Sequence, residues 1–380
     1  MFHRKQKIRV LHALRQGQIG GGESHVIDLV CNLNRSEFEP IVLSFTDGVI
    51  IDKLRQKKIQ VYVVDTIQPF HFTTFNNVQA IMRAEEIDIL HAHGTRALSN
   101  TLLTARTMGL PVIYTVYGWA FHADQNFPAK KLRQLSERML LANVDVTIHV
   151  SNESVYKGMQ MTGKDRSLMI NYGVNLSEFN AYRPMKNLKG ELGLNPDKLT
   201  VGFMNRFTKQ KDPFTFIRAI ACIKDRLANL QFLMMGEGEL MEDAMRLASS
   251  SGVKDLILFH DMRYDKPEVL NTIDIYTSTG HSAGIKPELM ESMAMHKAVV
   301  ATNVEGTKEM IKHNFNGLLF ETEDHNALAA CWLKLSNNAS LREELGDRAY
   351  KTIKKNYDLN ETVIYNENIY KSFMINKQSA

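Results

Sequence analysis

Short apolar runs alternate with longer amphipathic stretches along almost the whole chain. Residues 8–13 form an apolar run ending in a glycine-rich turn, and 23–33 follow with helical spacing of Val26, Leu29, Val30 and Leu33. The unit then recurs. Strands are predicted at 40–45, 61–64, 87–92, 112–116 and 144–150, with helices at 50–58, 75–84, 100–108 and 129–142 between them. Apolar strands separated by helices of about ten or more residues predict a parallel sheet covered on both faces.

The rhythm restarts at residue 199. Strands are predicted at 200–204, 230–235, 256–259, 273–277, 298–302 and 317–320, with helices at 213–227 and 240–250. Residues 183–198 hold Pro184, Pro196, Gly190 and Gly193 with few large apolar residues, the composition of a connection. The stretch 341–375 carries three helical segments. The expected fold class is α/β, with two doubly wound, Rossmann-like domains that bind ligands at the carboxyl ends of their strands and in a central cleft. The boundaries read from the pattern are 1–182, a connection at 183–198, a second domain at 199–356 and a helical tail at 357–380.

Composition narrows the class. The 380 residues are 44% hydrophobic and 23% charged, as in an ordinary globular chain. No apolar stretch approaches the roughly 18 residues of a membrane span. The first apolar run is broken by Arg9 and His12, so it reads as a strand and not as a secretory signal. Cys31, Cys222 and Cys331 lie far apart. A disulfide framework and a structural zinc site are therefore unexpected, and a reducing, cytoplasmic compartment fits. Residues 1–182 hold 20 Lys and Arg against 16 Asp and Glu, and residues 183–380 hold 26 of each. That excess is too small for nucleic acid, but suits a phosphorylated ligand or an anionic membrane surface.

Four segments offer chemistry. Gly17 and Gly20-Gly21-Gly22-Glu23 lie at a strand-to-helix junction, where backbone N–H groups and a helix N-terminus favour an anion. Arg206 and Lys211 project from one loop after the first strand of the second half, a pairing suited to a leaving diphosphate. Gly236-Glu237-Gly238-Glu239 permits a tight turn and close ligand approach. Glu291 sits in a helix opening after Pro287, where a carboxylate can accept two bonds from a vicinal diol such as ribose. His91 and His93 face one side of a strand end, but sequence spacing supplies no third metal ligand, so no metal is expected. A nicotinamide dehydrogenase would want G-x-G-x-x-G, which is absent.

In order and spacing these segments resemble glycosyltransferase family 4, retaining enzymes of the GT-B fold. Gly20-Gly21-Gly22-Glu23 is similar to its Gly-Gly-x-Glu loop, and Asp88-Ile89-Leu90-His91-Ala92-His93 to its Asp-hydrophobic-His-x-His segment. Ile170-Asn171-Tyr172-Gly173-Val174-Asn175, Asn205-Arg206 with Lys211, and Gly236-Glu237-Gly238-Glu239-Leu240 continue the match. Glu291-Ser292-Met293-Ala294, Ala298-Val299-Val300-Ala301-Thr302, Gly306-Thr307-Lys308-Glu309 and Asn316-Gly317-Leu318-Leu319 complete it.

The resemblance implies a hexose-type sugar transferred from a nucleotide-sugar donor, UDP- or GDP-linked, to a glycan or lipid-linked acceptor. It implies no cofactor and no metal. Arg206 and Lys211 would hold the diphosphate and Glu291 the ribose. Gly21, Gly22, Gly236, Arg263, Gly284, Ile285 and Leu289 would complete the donor contacts. Two positions depart from the family pattern. Ala283 stands where a donor-sugar carboxylate is usual, with Glu288 three residues from Glu291 and facing elsewhere; Tyr117 stands where a histidine is usual. Tyr117 and His281 are the expected catalytic companions of Arg206 and Lys211, and His122 is a further candidate. A catalytically weakened nucleotide-sugar-binding paralogue is the alternative. The helix at 129–142, with Lys130, Lys131, Arg133 and Arg138 beside Leu132, Leu135 and Met139, suits peripheral association with the inner face of a membrane.

Overall fold

The structure is a computed structural model and describes residues 7–18, 20–119, 127–162, 167–226, 229–281, 284 and 286–378. It divides into two compact units, Met1–Gly173 with Leu359–Ala380, and Val174–Asp358.

The first unit is a seven-stranded parallel sheet in the order β3-β2-β1-β4-β5-β6-β7. Its strands are β1 (Ile8–Leu14), β2 (Phe38–Ser44), β3 (Gln60–Val63), β4 (Ile89–His93), β5 (Val112–Val116), β6 (Val146–His149) and β7 (Ser167–Met169). The chain runs outward from β1 through β2 and β3, then returns to place β4 on the other side of β1. That reversal puts the carboxyl ends of β1 and β4 at a switch point, where open α/β sheets leave a crevice. The helices are α1 (Gly21–Asn32), α2 (Val49–Gln56), α3 (Phe75–Ala84), α4 (Thr95–Thr107), α5 (Phe127–Ala142) and α6 (Asn152–Thr162). Every residue of β4 and β5 is buried, including His91 and His93 of β4.

The second unit repeats the plan with six parallel strands, β10-β9-β8-β11-β12-β13. These are β8 (Leu199–Met204), β9 (Leu230–Met235), β10 (Ile257–His260), β11 (Ile275–Ser278), β12 (Ala298–Thr302) and β13 (Leu318–Phe320). Its helices are α7 (Pro213–Ile223), α8 (Met241–Ser250), α9 (Lys266–Thr272), α10 (Pro287–Ala294), α11 (Glu305–Lys308), α12 (His325–Ser336) and α13 (Ala339–Asn356). Phe203, Phe216, Phe232 and Trp332 fill its core, and the Trp332 indole N–H donates to Thr277 Oγ1 at 3.0 Å. The switch point here lies between β8 and β11.

The last helix, α14 (Leu359–Gln378), returns to the first unit, where Leu359, Val363 and Tyr370 pack with Val10, Leu29, Phe38 and Ile89. Beyond residue 341 the chain thus forms two helices, not three: α13 stays with the second sheet and α14 leaves it. The connection read at 183–198 is packed onto the second unit. Leu188, Leu192 and Leu194 are buried, the His260 ring bonds the Leu192 carbonyl, and Asn195 N–H donates to Gln231 Oε1. The units divide instead at Gly173/Val174, where Val174 N–H already pairs with the Tyr357 carbonyl at 2.8 Å. Helices α6, α9 and α12 and strand β7 carried too little periodicity to be read. In α6, Gly158 looks like a breaker, but a Cβ there would meet the His149 ring at 3.1 Å, so its smallness serves packing.

Candidate functional site

In the second unit, the predicted residues gather at the carboxyl edge of the sheet. The loop after β8 carries Arg206 and Lys211 and ends at Asp212, whose Oδ1 caps α7 by accepting from Thr215 N–H at 3.1 Å. Arg206 is exposed, and among the described residues no side chain pairs with its guanidinium. Lys211 is largely buried and donates to Glu288 Oε1 at 2.9 Å. Glu288 therefore does face this edge, contrary to its expected direction. The pairing joins a loop to a helix 77 residues away, so spacing within α10 does not reveal it.

Glu291, one turn further along α10, takes two bonds from Lys266 Nζ, at 2.9 and 3.1 Å. Burial raises its pKa, opposed by the Lys266 charge and hydrogen bond. His281 follows β11; its backbone N–H donates to the Gln210 carbonyl, and its Nε2 lies 3.3 Å from Asp212 Oδ2. Lys286, which opens α10, is buried and donates to the Gly280 carbonyl, Thr302 Oγ1 and Thr307 Oγ1 at 3.2, 3.1 and 2.9 Å. Burial first, then repulsion from Lys211, lowers its pKa from 10.5 to about 7. Lys266, Lys286 and Asp212 carried no signal in the sequence beyond ordinary surface charge.

Other expected donor residues divide. Gly236 is where the chain must have glycine, since a Cβ would fall 1.8 Å from the Asn205 carbonyl oxygen. Gly284 is exposed, with open space where a Cβ would stand. Leu289 is buried in α10, its N–H bonded to the Lys286 carbonyl. Arg263 is held by both oxygens of Asp265, at 2.8 and 2.6 Å, and by Glu191 at 2.5 Å, so its guanidinium is committed to an ion-pair cluster. Ile285, Ala283 and His122 lie outside the described residues.

In the first unit, α1 opens at Gly20 with no side-chain cap, leaving its first N–H groups directed at the carboxyl edge. Arg15 Nε donates to Glu23 Oε1 at 2.6 Å, and Tyr172 donates to the Gly21 carbonyl at 3.3 Å. Gly22 lies flat on Tyr117, where a Cβ would meet ring carbons at 3.0–3.4 Å. Gly17 serves a different purpose from the anion approach read in the sequence. Its N–H donates to Thr46 Oγ1 and its Cα packs on the 46–48 turn.

The Tyr117 hydroxyl points inward, 2.8 Å from His25 Nδ1 and 3.2 Å from His93 Nδ1. Its ring supports the glycine loop while its oxygen belongs to a buried network. His93 Nε2 in turn meets His12 Nδ1 at 3.2 Å, and His91 bonds Tyr370 and Thr115 hydroxyls at 2.7 Å each. His12 is the third histidine that spacing did not supply. The β1–β4 register sets His12 beside His91 and Leu14 beside His93, and the ligand atoms of the three rings lie within 4.8 Å of one another. The His12 and His93 rings are nearly parallel, with centroids 5.4 Å apart, and both His91 nitrogens meet hydroxyls. Burial lowers the pKa of His12 to about 3 and of His25 to about 4, with His91 and His93 well below the usual value. All four rings are neutral near pH 7.

Comparison with known proteins agrees with this plan. The glycosyl transferases group 1 family model matches residues 184–352, and the Glycosyltransferase Family 4 model matches residues 19–178. The UDP-Gal:alpha-D-GlcNAc-diphosphoundecaprenol alpha-1,3-galactosyltransferase of Escherichia coli is 24% identical over 269 residues, 69% of each chain. A glycosyltransferase from Rickettsia africae ESF-5 superposes with a TM-score of 0.84 at 20% identity, covering 97% of this chain and 99% of that one. Anabaena HepE in complex with UDP gives 0.83 at 19%, covering 97% and 100%. With two family models tiling the sequence in this order over two Rossmann-like units, the chain belongs to glycosyltransferase family 4 and has the GT-B fold.

Proposed function

We propose that this chain is a retaining hexosyltransferase using a UDP- or GDP-linked sugar and a glycan or lipid-linked acceptor in cell-surface polysaccharide or lipopolysaccharide synthesis. The observation that carries the reading is the charge arrangement after β8 and in α10: Arg206 exposed, Lys211 in the same loop, and Glu291 buried on the helix that opens the same edge. The two cations stabilise the departing diphosphate, which is the role a metal ion would otherwise fill. Glu291 accepts the ribose hydroxyls, and His281, backed by Asp212, lies at the end of β11 toward the sugar. Gly21 and Gly22 present the N-terminus of α1 to an anion. The donor class is supported by the UDP in the HepE complex, and the acceptor class by the diphosphoundecaprenol named for the E. coli relative.

Peripheral membrane association belongs to the same proposal. No helix among the described residues is long and apolar enough to cross a membrane. On α5, however, Leu132, Leu135 and Met139 are exposed on a helix that also carries Lys130, Lys131, Arg133 and Arg138. That surface suits an anionic bilayer. Flotation with liposomes of graded anionic lipid tests it, and binding independent of that lipid contradicts it.

The donor reading is tested by thermal shifts with UDP-, GDP- and ADP-sugars, followed by transfer of the labelled sugar to a lipid-linked acceptor pool. One base should stabilise the chain and one sugar should be transferred with its anomeric configuration kept. No shift with any donor would overturn the reading.

A further inference from the structure

Glu288 has a carboxylate oxygen whose partner is missing from the protein. Oε1 accepts from Lys211 Nζ at 2.9 Å, while Oε2 is buried and accepts no hydrogen bond. Burial would raise the pKa of this group. The charge and hydrogen bond of Lys211, its own backbone N–H and the charge of Lys266 outweigh burial, so it is held below the ordinary carboxylate value. A buried anionic oxygen left unpaired bears its full desolvation cost, so such an atom calls for an explanation.

Neighbouring charges do not supply the missing donor. Lys266 is bound to both oxygens of Glu291. Lys286 has three hydrogens and directs them to the Gly280 carbonyl, Thr302 and Thr307. Lys211 is engaged at Oε1. Asp212 Oδ2 is a second buried carboxylate oxygen without a hydrogen bond at this edge, with the His281 imidazole 3.3 Å away, while the Thr208 and Thr215 hydroxyl oxygens, also unpartnered among the described residues, are uncharged. Glu288 Oε2 is thus the acceptor that a ligand must answer. A diphosphate ionised at neutral pH has only acceptors to offer, and the ribose diol falls to Glu291. The hydroxyls of the transferred sugar are the donors left.

We propose that Glu288 is a specificity-determining residue: Oε2 accepts a hydroxyl of the transferred sugar while Oε1 keeps Lys211 directed at the diphosphate. This rests on the reading of the edge as a nucleotide-sugar site. One carboxylate then links recognition of the sugar to placement of the cation, and the substrate class is a hexosyl donor with a free hydroxyl at the matching ring position.

The test uses the full chain and the donor found in the panel, together with analogues deoxygenated at each ring position in turn. For the wild type, loss of one particular hydroxyl should lower kcat/KM by roughly tenfold or more. For Glu288→Gln, loss of that same hydroxyl should cost little further, while affinity for the nucleoside diphosphate alone stays within about threefold. Equal penalties for every hydroxyl in both proteins would overturn the assignment. So would a loss of nucleoside diphosphate binding that matches the loss of donor binding, since Glu288 would then act only through Lys211. Should Glu288→Gln fail to fold, Glu288→Asp, which keeps the charge but withdraws the oxygens, carries the same comparison. Failure of the wild type to bind any nucleotide-sugar would instead overturn the donor site itself, a result visible before any variant is made.

Discussion

Lys266, at the start of α9, donates to both carboxylate oxygens of Glu291, at 2.9 and 3.1 Å. Burial raises the Glu291 pKa and the Lys266 charge opposes that rise. Lys266→Met removes the opposition, so the carboxyl group should hold its proton to higher pH. The acid limb of the kcat/KM profile for the donor is expected to move upward in the variant, with most of the loss below neutrality. An acid limb that stays in place would separate Glu291 from donor binding.

Arg206 and Lys211 share a loop but differ in surroundings, so two alanine variants should separate stability from activity. Each should lower transfer by about 10² or more, the scale of removing a preorganised donor to a developing anion. Arg206→Ala should leave unfolding free energy within about 0.5 kcal/mol, because the side chain is exposed. Lys211→Ala strands the Glu288 carboxylate and should cost about 3 kcal/mol. Denaturant unfolding beside a transfer assay measures both. Similar stability losses in the two variants would contradict the placement.

Lys286 predicts a pH-dependent stability of definite sign. Its pKa is about 7 when folded against 10.5 in the reference state, so between these values the unfolded chain binds more protons. Its contribution is therefore complete above about pH 10.5 and is lost as pH falls through about 7, with a slope of up to roughly 1.4 kcal/mol per pH unit. Lys286→Met lacks this term. Relative to wild type, the variant should be most favoured at or below pH 7, with its advantage shrinking toward pH 10. A constant difference across that range would mean that Lys286 titrates normally.

The alternation of buried strands and helices was legible because parallel strands at the sheet centre are largely apolar on both faces, as in β5 and β12. Arg206, Lys211 and Glu291 were legible because local order carries them: a strand, a loop, a helix start. What stayed hidden was everything set by register or by long-range pairing. His12 lies 79 residues from its neighbour in register, His91, and Glu288 lies 77 from Lys211. The cluster around Arg263 was hidden for the same reason, since nothing local reveals that Glu191 completes it. Boundaries failed where packing overrode composition, as in the connection whose leucines are buried.

The buried histidines of the first unit make its stability sensitive to acid. Their folded pKa values lie below the usual 6.5, at about 3 for His12 and about 4 for His25, so the unfolded chain takes up protons first. Stability should be complete above about pH 6.5 and fall as pH drops toward 4 and then 3. Tyr117→Phe removes the hydroxyl that joins His25 to His93 and leaves buried ring nitrogens without a partner. It should cost about 1–3 kcal/mol at pH 7. Thermal unfolding across this pH range tests both, and a Tyr117→Phe protein as stable as wild type would contradict the network.

Release of nucleotide from UDP-, GDP- and ADP-sugars, measured side by side for wild type and Arg206→Ala, tests the central claim most directly. The expected result is turnover of one donor by the wild type and roughly a hundredfold less by the variant, with the fold intact. Equal release by the two proteins, or none from any donor with a lipid-linked acceptor present, would contradict a diphosphate site at the carboxyl edge of the second sheet.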